Sequence, residues 1–422
     1  MPNGQINVGP MNQAEPAAVP GRSDINLLYA ARGLRGFGDG FAVILLPAYL
    51  SAIGYDPIHI GIVAAASLLG SAVLTLIVGL VAPRHDLRKL LLLAAGLMAV
   101  TGLAFPAFEH IVFIAVVAFI GTINPSAGDI GVFVPLEHAM IARGVPDRER
   151  TAAFARYSLI GALSAAAGAL GAAIPDVLAS AGIGELAAFR LMFYAYALLG
   201  LMGAILYRRL PRQIGETRHS APLGPSRGVV YRLAALFSLD AFAGGFIVQS
   251  MLALWLFQRF DLSLSAAGSF FFWSSVLSAF SYPVAARLAK RIGLVNTMVF
   301  THIPSSICLI LAAFAPNLTL VVALLLVRSA LSQMDVPTRT SYVMAVVTPA
   351  ERTAAASVTA VPRSLASSLS PALTGFLLAT PFAGLPLVIC GSLKIIYDLS
   401  LLASFRHIKP PEEKTTVPVA SA

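Results

Sequence analysis

An all-α membrane protein with twelve spanning helices in two six-helix halves is the fold class this sequence predicts. Three observations carry it. The chain of 422 residues is 57% hydrophobic and 12% charged, which is more apolar surface than one soluble core can bury. A helix needs about 20 apolar residues to cross a bilayer, and twelve such stretches can be placed along the chain. Basic residues alternate with them. Of 29 lysines and arginines, twenty lie in segments between alternate stretches, Arg190 and Arg259 alone lie in the other gaps, and seven lie inside the stretches. Basic residues near helix ends stay on the cytoplasmic side, so this asymmetry fixes a topology.

Taken in order, residues 1–25 are polar, rich in Pro, Gly and Asn, and lack an apolar run. That predicts a disordered cytoplasmic tail rather than a signal peptide. Spans are expected at 26–50, 57–82, 87–107, 111–141, 147–175 and 186–207, forming an N-terminal bundle over 26–207. A basic, Pro- and Gly-containing stretch, 208–228, is the one substantial interior linker and is expected on the cytoplasmic face. The second bundle, 229–405, holds spans at 230–257, 264–287, 292–314, 317–346, 351–379 and 384–405. Residues 406–422, around Pro410-Pro411-Glu412-Glu413-Lys414, read as a second cytoplasmic tail. The expected location is a bacterial inner (plasma) membrane, multi-pass, with both termini cytoplasmic. The net charge of +9 fits a basic face beside an anionic leaflet, not a nucleic-acid surface.

Chemistry-bearing motifs of enzymes are absent. Cys308 and Cys390 both fall inside apolar stretches, so neither a disulfide framework nor a cysteine metal site is expected. There is no H-E-x-x-H, no C-x-x-C and no P-loop pattern G-x-x-x-x-G-K-[ST], so ATP-driven pumping by this chain is not expected. The sequence predicts no enzyme, no cofactor and no metal.

The halves repeat each other. Phe41-Ala42-Val43 to Tyr55-Asp56 matches Phe246-Ile247-Val248 to Phe260-Asp261 at an offset of 205. Pro135-Leu136-Glu137 and Glu149-Arg150-Thr151-Ala152-Ala153 match Pro337-Thr338-Arg339 and Glu351-Arg352-Thr353-Ala354-Ala355 at an offset of 202. Three matches in order, on equivalent helices, point to internal duplication, a plan that transporters share.

This organisation resembles the major facilitator superfamily over residues 26–405. After its second helix that family carries a pattern of the type G-x-x-x-D-R-x-G-R-R. Here the turn reads Gly79-Leu80-Val81-Ala82-Pro83-Arg84-His85-Asp86-Leu87-Arg88-Lys89, with Pro83 at the acidic position. The duplicate, Ala286-Arg287-Leu288-Ala289-Lys290-Arg291-Ile292-Gly293, has Lys290 there. The resemblance implies gating roles for these turns: Gly79, Arg84, Asp86, Arg88, Lys89, Lys290, Arg291 and Gly293. The missing carboxylates imply a latch that is weaker or differently built. Asn124-Pro125-Ser126-Ala127-Gly128 lacks the helix-4 arginine of the family's drug/proton antiporters, and helix 5 lacks their Gly-Pro pair. The segments 297–304 and 328–335 resemble a poorly characterised microbial branch.

Charges inside the spans carry the functional expectation. An unpaired charge at mid-bilayer costs roughly 2.5–3.5 kcal/mol on insertion scales, so embedded ions usually face a cavity. Arg32, Arg35 and Asp39 share one face of helix 1, and Arg328, Asp335 and Arg339 one face of helix 10. Asp129 and Glu137 on helix 4 and Asp240 and Gln249 on helix 7 complete the expected substrate and proton path. Helices 1, 4, 7 and 10 are those that line the cavity in the resembled family. At the repeat offsets Arg35 corresponds to Asp240 and Glu137 to Arg339. Each correspondence joins opposite charges, so contacts between halves, Arg35–Asp240 and Glu137–Arg339, made directly or through substrate, are expected. The plainer alternative is neutralisation within a helix: Arg35 with Asp39, Asp335 with Arg339, Lys394 with Asp398. Arg156 and Arg363 can snorkel to the interface, and His302 can be a packed residue beside Pro304.

Together these features predict a secondary active transporter of a small organic solute, working by alternating access. Efflux of an anionic or amphipathic compound comes first. Proton-coupled uptake and a non-transporting membrane sensor remain as alternatives. Expected partners are a small-molecule substrate, the lipid bilayer and, as a coupling ion, protons. A monomer is expected, with no nucleic acid.

Overall fold

The computed structural model describes residues 21–126, 131–213, 223–348 and 351–406. Among them the chain is helical throughout. The first half comprises α1 (Arg22–Ala52), α2 (Pro57–Val81), α3 (Leu87–Ala104), α4 (Ile111–Ile120), α5 (Phe133–Gly144), α6 (Asp147–Gly171), α7 (Ile174–Ser180) and α8 (Glu185–Arg208). The second comprises α9 (Arg227–Gly245), α10 (Gln249–Phe260), α11 (Leu264–Ile292), α12 (Leu294–Phe314), α13 (Leu318–Ser332), α14 (Asp335–Val346), α15 (Arg352–Leu378) and α16 (Leu385–Phe405).

Local chemistry sets the boundaries. Asp56 caps α2 by accepting from the His59 amide at 2.9 Å, with Pro57 at the first helical position, where its missing N–H costs nothing. Ser263 caps α11 and Asn317 caps α13 in the same way. Gly293 turns α11 into α12 with φ 89°, a backbone region that favours glycine.

The fourth, seventh and tenth of the twelve expected spans are interrupted in their interior, and the fifth only at its end, between α6 and α7. The fourth divides into α4 and α5, with Asn124-Pro125 between. The seventh divides into α9 and α10 after Gly244-Gly245, and the tenth into α13 and α14 at Gln333-Met334. Non-helical backbone at membrane depth is tolerated where protein or a wet cavity receives its polar groups. Two of these breaks meet: the Ser250 amide of the seventh span donates to the Pro125 carbonyl of the fourth at 3.1 Å.

The halves pack through α2 against α15, α6 against α11, and α1 against α10. Contact is tightest at the end away from the chain termini. A Cβ on Gly61 would fall 2.4 Å from the Pro371 carbonyl oxygen, and one on Gly375 2.3 Å from that of Pro57. Only hydrogen at these positions lets the backbones approach so closely. Ser265, at the start of α11, donates from its amide and its hydroxyl to Asp176 on α7.

Toward the termini that packing loosens. Along the face of α15 that meets α2, Gly375, Pro371 and Ser368 are buried, Ser364 is half-buried, and Ala360 and Ser357 are exposed. On α2, Gly61 and Leu68 are buried, Ala72 and Thr75 half-buried, and Gly79 exposed. The halves therefore enclose a cleft that opens toward the end carrying the termini.

Candidate functional site

Each half buries one ionic cluster beside this cleft. In the first half, α1 brings Arg35 onto Glu137 of α5 as a two-armed bridge, Nη2 to Oε2 at 2.7 Å and Nη1 to Oε1 at 3.1 Å. The Tyr207 hydroxyl donates to Oε1 at 2.6 Å, and the Tyr157 hydroxyl donates to Oε2. The same hydroxyls accept from the Arg35 guanidinium at 3.1 and 2.9 Å. Arg35 also lies over the Phe133 ring, 4.4 Å from its centroid. Glu137 is 0% exposed, and both its oxygens are satisfied. A buried carboxylate persists only under such conditions.

The second half builds a related bridge with its polarity reversed. There α9 supplies the acid, Asp240, and α14 the base, Arg339, at 2.9 Å. Arg339 stacks over Phe237, three residues before Asp240, as Arg35 stacks over Phe133, four residues before Glu137. Asp335 meets Arg339 at 3.3 Å. Lys394 of α16 donates to Asp240 at 2.6 Å and lies 3.3 Å from Nε2 of His302. His302 Nδ1 is 3.0 Å from Asp398. One assignment satisfies every contact: Lys394 donates to Nε2 of a neutral imidazole, which donates from Nδ1 to Asp398.

These contacts correct the expected pairing. Arg35 and Asp240, and Glu137 and Arg339, do not pair across the halves. Each position instead pairs within its own half, so the duplication is preserved and only the signs are exchanged. Arg35 likewise bonds Glu137 rather than Asp39, and Lys394 and Asp398 reach different partners although they are one turn apart. The Asp335–Arg339 contact is present, and it spans the start of α14 rather than a continuous tenth helix.

A narrow recess of about 20 Å³ opens between α1, α2 and the break of the fourth span. Arg32, Asp39, Ser71, Thr122 and Asn124 give it polar walls, and Leu74 and Phe133 apolar ones. Arg32 lies across Gly161 and 5.3 Å from the Tyr157 ring centroid. Asp39 is half-buried, and its described hydrogen bond is a long one, 3.4 Å from the Tyr196 hydroxyl. Gln249 opens α10 at the break of the seventh span and is half-buried. Ser250 beside it is fully buried, and its hydroxyl has no hydrogen-bond partner among the described residues.

Other expected positions fall elsewhere. Arg328 does not continue the Asp335–Arg339 stripe, because the tenth span breaks between them. It lies on α13 beside the thiols of Cys308 and Cys390, on α12 and α16. Arg363 of α15 is half-buried next to Arg339, Asp240 and Asp335. Asp129 lies outside the described residues.

The turn after α2 holds the linker. Asp86 accepts from the Arg88 and Gln213 amides at 3.1 Å each, and Arg88 donates to the Leu210 carbonyl at 3.2 Å. Arg84, Lys89 and Arg291 are exposed, and Gly79 has nothing within 4 Å of an added Cβ. The Lys290 side chain lies outside what is described. The far end of the linker is held by Glu351, which accepts from the Gly224 amide, from the Ser226 hydroxyl at 2.7 Å and from that of Thr348 at 2.6 Å. The hydroxyls of Thr348 and Ser226, with the Gly224 amide, hold the Glu351 carboxyl down to about 2.

Sequence reasoning missed the tyrosines. Tyr157, Tyr196 and Tyr207 sit in apolar runs, and nothing local separates a hydroxyl that serves a buried acid from a packed ring. Their one signal is placement on spans 5 and 6, next to a helix bearing an embedded carboxylate.

A family model described as Major Facilitator Superfamily matches residues 28–238 and again 233–421. An uncharacterized membrane protein of Saccharomyces cerevisiae is 26% identical over 420 residues, covering 90% of this chain and 94% of its own length. Among solved structures, the nucleoside transporter NupG aligns with a TM-score of 0.68 at 14% identity, covering 90% of this chain and 98% of that one. The inward-open xylose transporter XylE from E. coli aligns at 0.69 and 14%, covering 89% and 95%.

Proposed function

The chain belongs to the Major Facilitator Superfamily, whose members are multi-pass membrane transporters rather than enzymes, and on that footing we propose that it carries a small organic solute bearing an anionic group by alternating access. The observation that supports this reading is the cleft itself. It is sealed where Gly61 meets Gly375, open at the other end, and flanked by a buried ionic cluster in each half. Rocking of two bundles about a site at mid-depth would expose that site to each side in turn. The recess at Asp39 and Asn124 is a wall a solute would meet. Arg32, which lines it, favours a ligand group with paired acceptor oxygens.

Both termini on the cytoplasmic side of a plasma membrane is the setting we favour, on the alternation of basic residues along the chain, and efflux is the direction we would test first. The two clusters have different parts. Bridges as fully satisfied as Arg35–Glu137 suit a frame that keeps each bundle rigid while the bundles move. Asp39 suits ion coupling: it borders the recess and has no cation within ion-pair distance among the described residues. Glu137, expected beside it as a proton carrier, is instead held by Arg35 and two tyrosines.

The test is a metabolite-wide uptake and export screen with the purified protein in proteoliposomes, with and without a pH gradient. Transport of at least one organic solute, with Asp39→Asn abolishing any response to the gradient, is expected. Absence of transport of any solute class would overturn the reading.

A further inference from the structure

The sealed end of the cleft is built twice, and the two copies are held differently. Asp56 caps α2 and Ser263 caps α11, at an offset of 207 in the sequence, and five residues past each cap stands a buried glycine, Gly61 or Gly268. Each glycine meets a carbonyl of the opposite half. A Cβ on Gly61 would fall 2.4 Å from the Pro371 oxygen on α15, and one on Gly268 2.5 Å from the Ala169 oxygen on α6. On the α2 side a further glycine, Gly375, adds a second close approach of backbone. On the α11 side the chain adds a polar contact instead. The short helix α7 follows α6, packs on α8 of its own half and carries Asp176. Asp176 Oδ2 accepts from the Ser265 amide at 3.1 Å and from the Ser265 hydroxyl at 2.9 Å.

Ser265 is the second residue of α11, where amide N–H groups find no partner within their own helix. The Ser263 hydroxyl serves the Ala266 amide at 3.2 Å, and Asp176, reaching over from the other half, serves that of Ser265. A carboxylate there also meets the positive end of the helix dipole. We propose that Asp176 is the latch of the sealed end: its carboxylate closes α7 onto the first turn of α11, and the bundles part on that side by giving this contact up. This rests on the carrier reading above and supplies the release that it requires. The surroundings suit a contact that breaks and reforms. Ser265 is exposed and Asp176 half-buried, so water replaces each partner as they separate and neither is left bare in a dry interior. The bridges Arg35–Glu137 and Arg339–Asp240 are buried and lie each within one half, so rocking of the bundles leaves them intact. The Asp176–Ser265 contact joins the halves and is lost when this end opens.

The test uses the full chain in nanodiscs, in a background lacking Cys308 and Cys390, with spin labels at Tyr55→Cys and Phe382→Cys. Those positions lie on the α2–α15 side of the sealed end, away from the latch, so a merely local disturbance at α7 does not move them. Distances are read by pulsed electron resonance. Asp176→Ala should raise the ratio of longer to shorter distance about fivefold, as loss of a helix N-terminal cap does to an equilibrium. Asp176→Asn keeps an accepting oxygen and Ser265→Ala keeps the donating amide, so each should raise the ratio by less. Ser265→Ala added to Asp176→Ala should change nothing more, because both remove one contact. Unchanged ratios in Asp176→Ala and Asp176→Asn, or additive effects of Asp176→Ala and Ser265→Ala, would overturn the proposal. If those variants leave the ratio unmoved while Gly375→Leu or a transported solute still brings out the longer distance, the latch falls and the carrier reading stands. If no variant and no solute brings out a second distance, both fall.

Discussion

Exchanging the charges of the Arg35–Glu137 bridge tests the pairing within halves. Arg35→Glu alone sets two carboxylates face to face at positions 6% and 0% exposed, and Glu137→Arg alone does the same with two cations. Breaking a buried pair by removing one partner costs about 3–5 kcal/mol, roughly two to three and a half orders of magnitude in an equilibrium constant. Here four hydrogen bonds to Glu137 are disturbed as well, so each single variant should fall at the upper end. The double exchange rebuilds the bridge, because Tyr157 and Tyr207 can donate or accept from the same place. It should recover more than half of the lost stability, read as a double-mutant cycle on unfolding in detergent. The exchange across halves, Arg35→Asp with Asp240→Arg, should recover nothing. Additive effects in the first pair, or rescue in the second, would mean that Arg35 and Glu137 do not pair within the first half.

In the second cluster Asp240→Asn strands Arg339 and Lys394 together, whereas Lys394→Met leaves Asp240 with Arg339. The former should therefore destabilise more, in the same unfolding assay. Gly375→Leu should prise apart the sealed end, since its Cβ meets the Pro57 carbonyl at 2.3 Å. In a background lacking Cys308 and Cys390, alkylation of Ala360→Cys in the open half of the cleft should then slow several-fold. The clamp at Glu351 depends on pH. Its folded carboxyl lies near 2 against an ordinary value of 4.5, so its stabilisation is full above about 4.5 and is lost as pH falls toward 2. Glu351→Gln should accordingly lower the melting temperature at pH 7 and make progressively less difference below pH 4.5.

Much of this arrangement was legible in the sequence. Span limits such as 57–82 and 384–405 fall within a few residues of α2 and α16, because a bilayer demands a fixed length of apolar helix. The breaks at Asn124-Pro125 and after Gly244-Gly245 fall inside spans expected to be continuous, 111–141 and 230–257. Their irregular backbone is kept because polar partners, such as the Pro125 carbonyl and the Ser250 amide, meet there. Pairing was harder. The repeat gave the equivalence of Arg35 with Asp240 and of Glu137 with Arg339, but equivalence leaves open whether such groups face each other across the axis or fold back into their own bundles. The deciding partners, Tyr157 and Tyr207, look like core aromatics. Helical spacing also misled at Arg328, where the stripe assumed a continuous tenth helix, and at Lys394 and Asp398, where neighbours on one helix serve different acids and bases across the bundle.

Alternating access requires two rigid bundles to open in turn about one cleft. Spin labels at Gly79→Cys and Ala360→Cys report the open end, and labels at Tyr55→Cys and Phe382→Cys the sealed one, with distances taken by pulsed electron resonance in nanodiscs. Two populations are predicted for each pair, with the open-end distance shortening as the other lengthens when a transported solute is added. A single distance at both ends, unchanged by solute or pH gradient, would contradict the account.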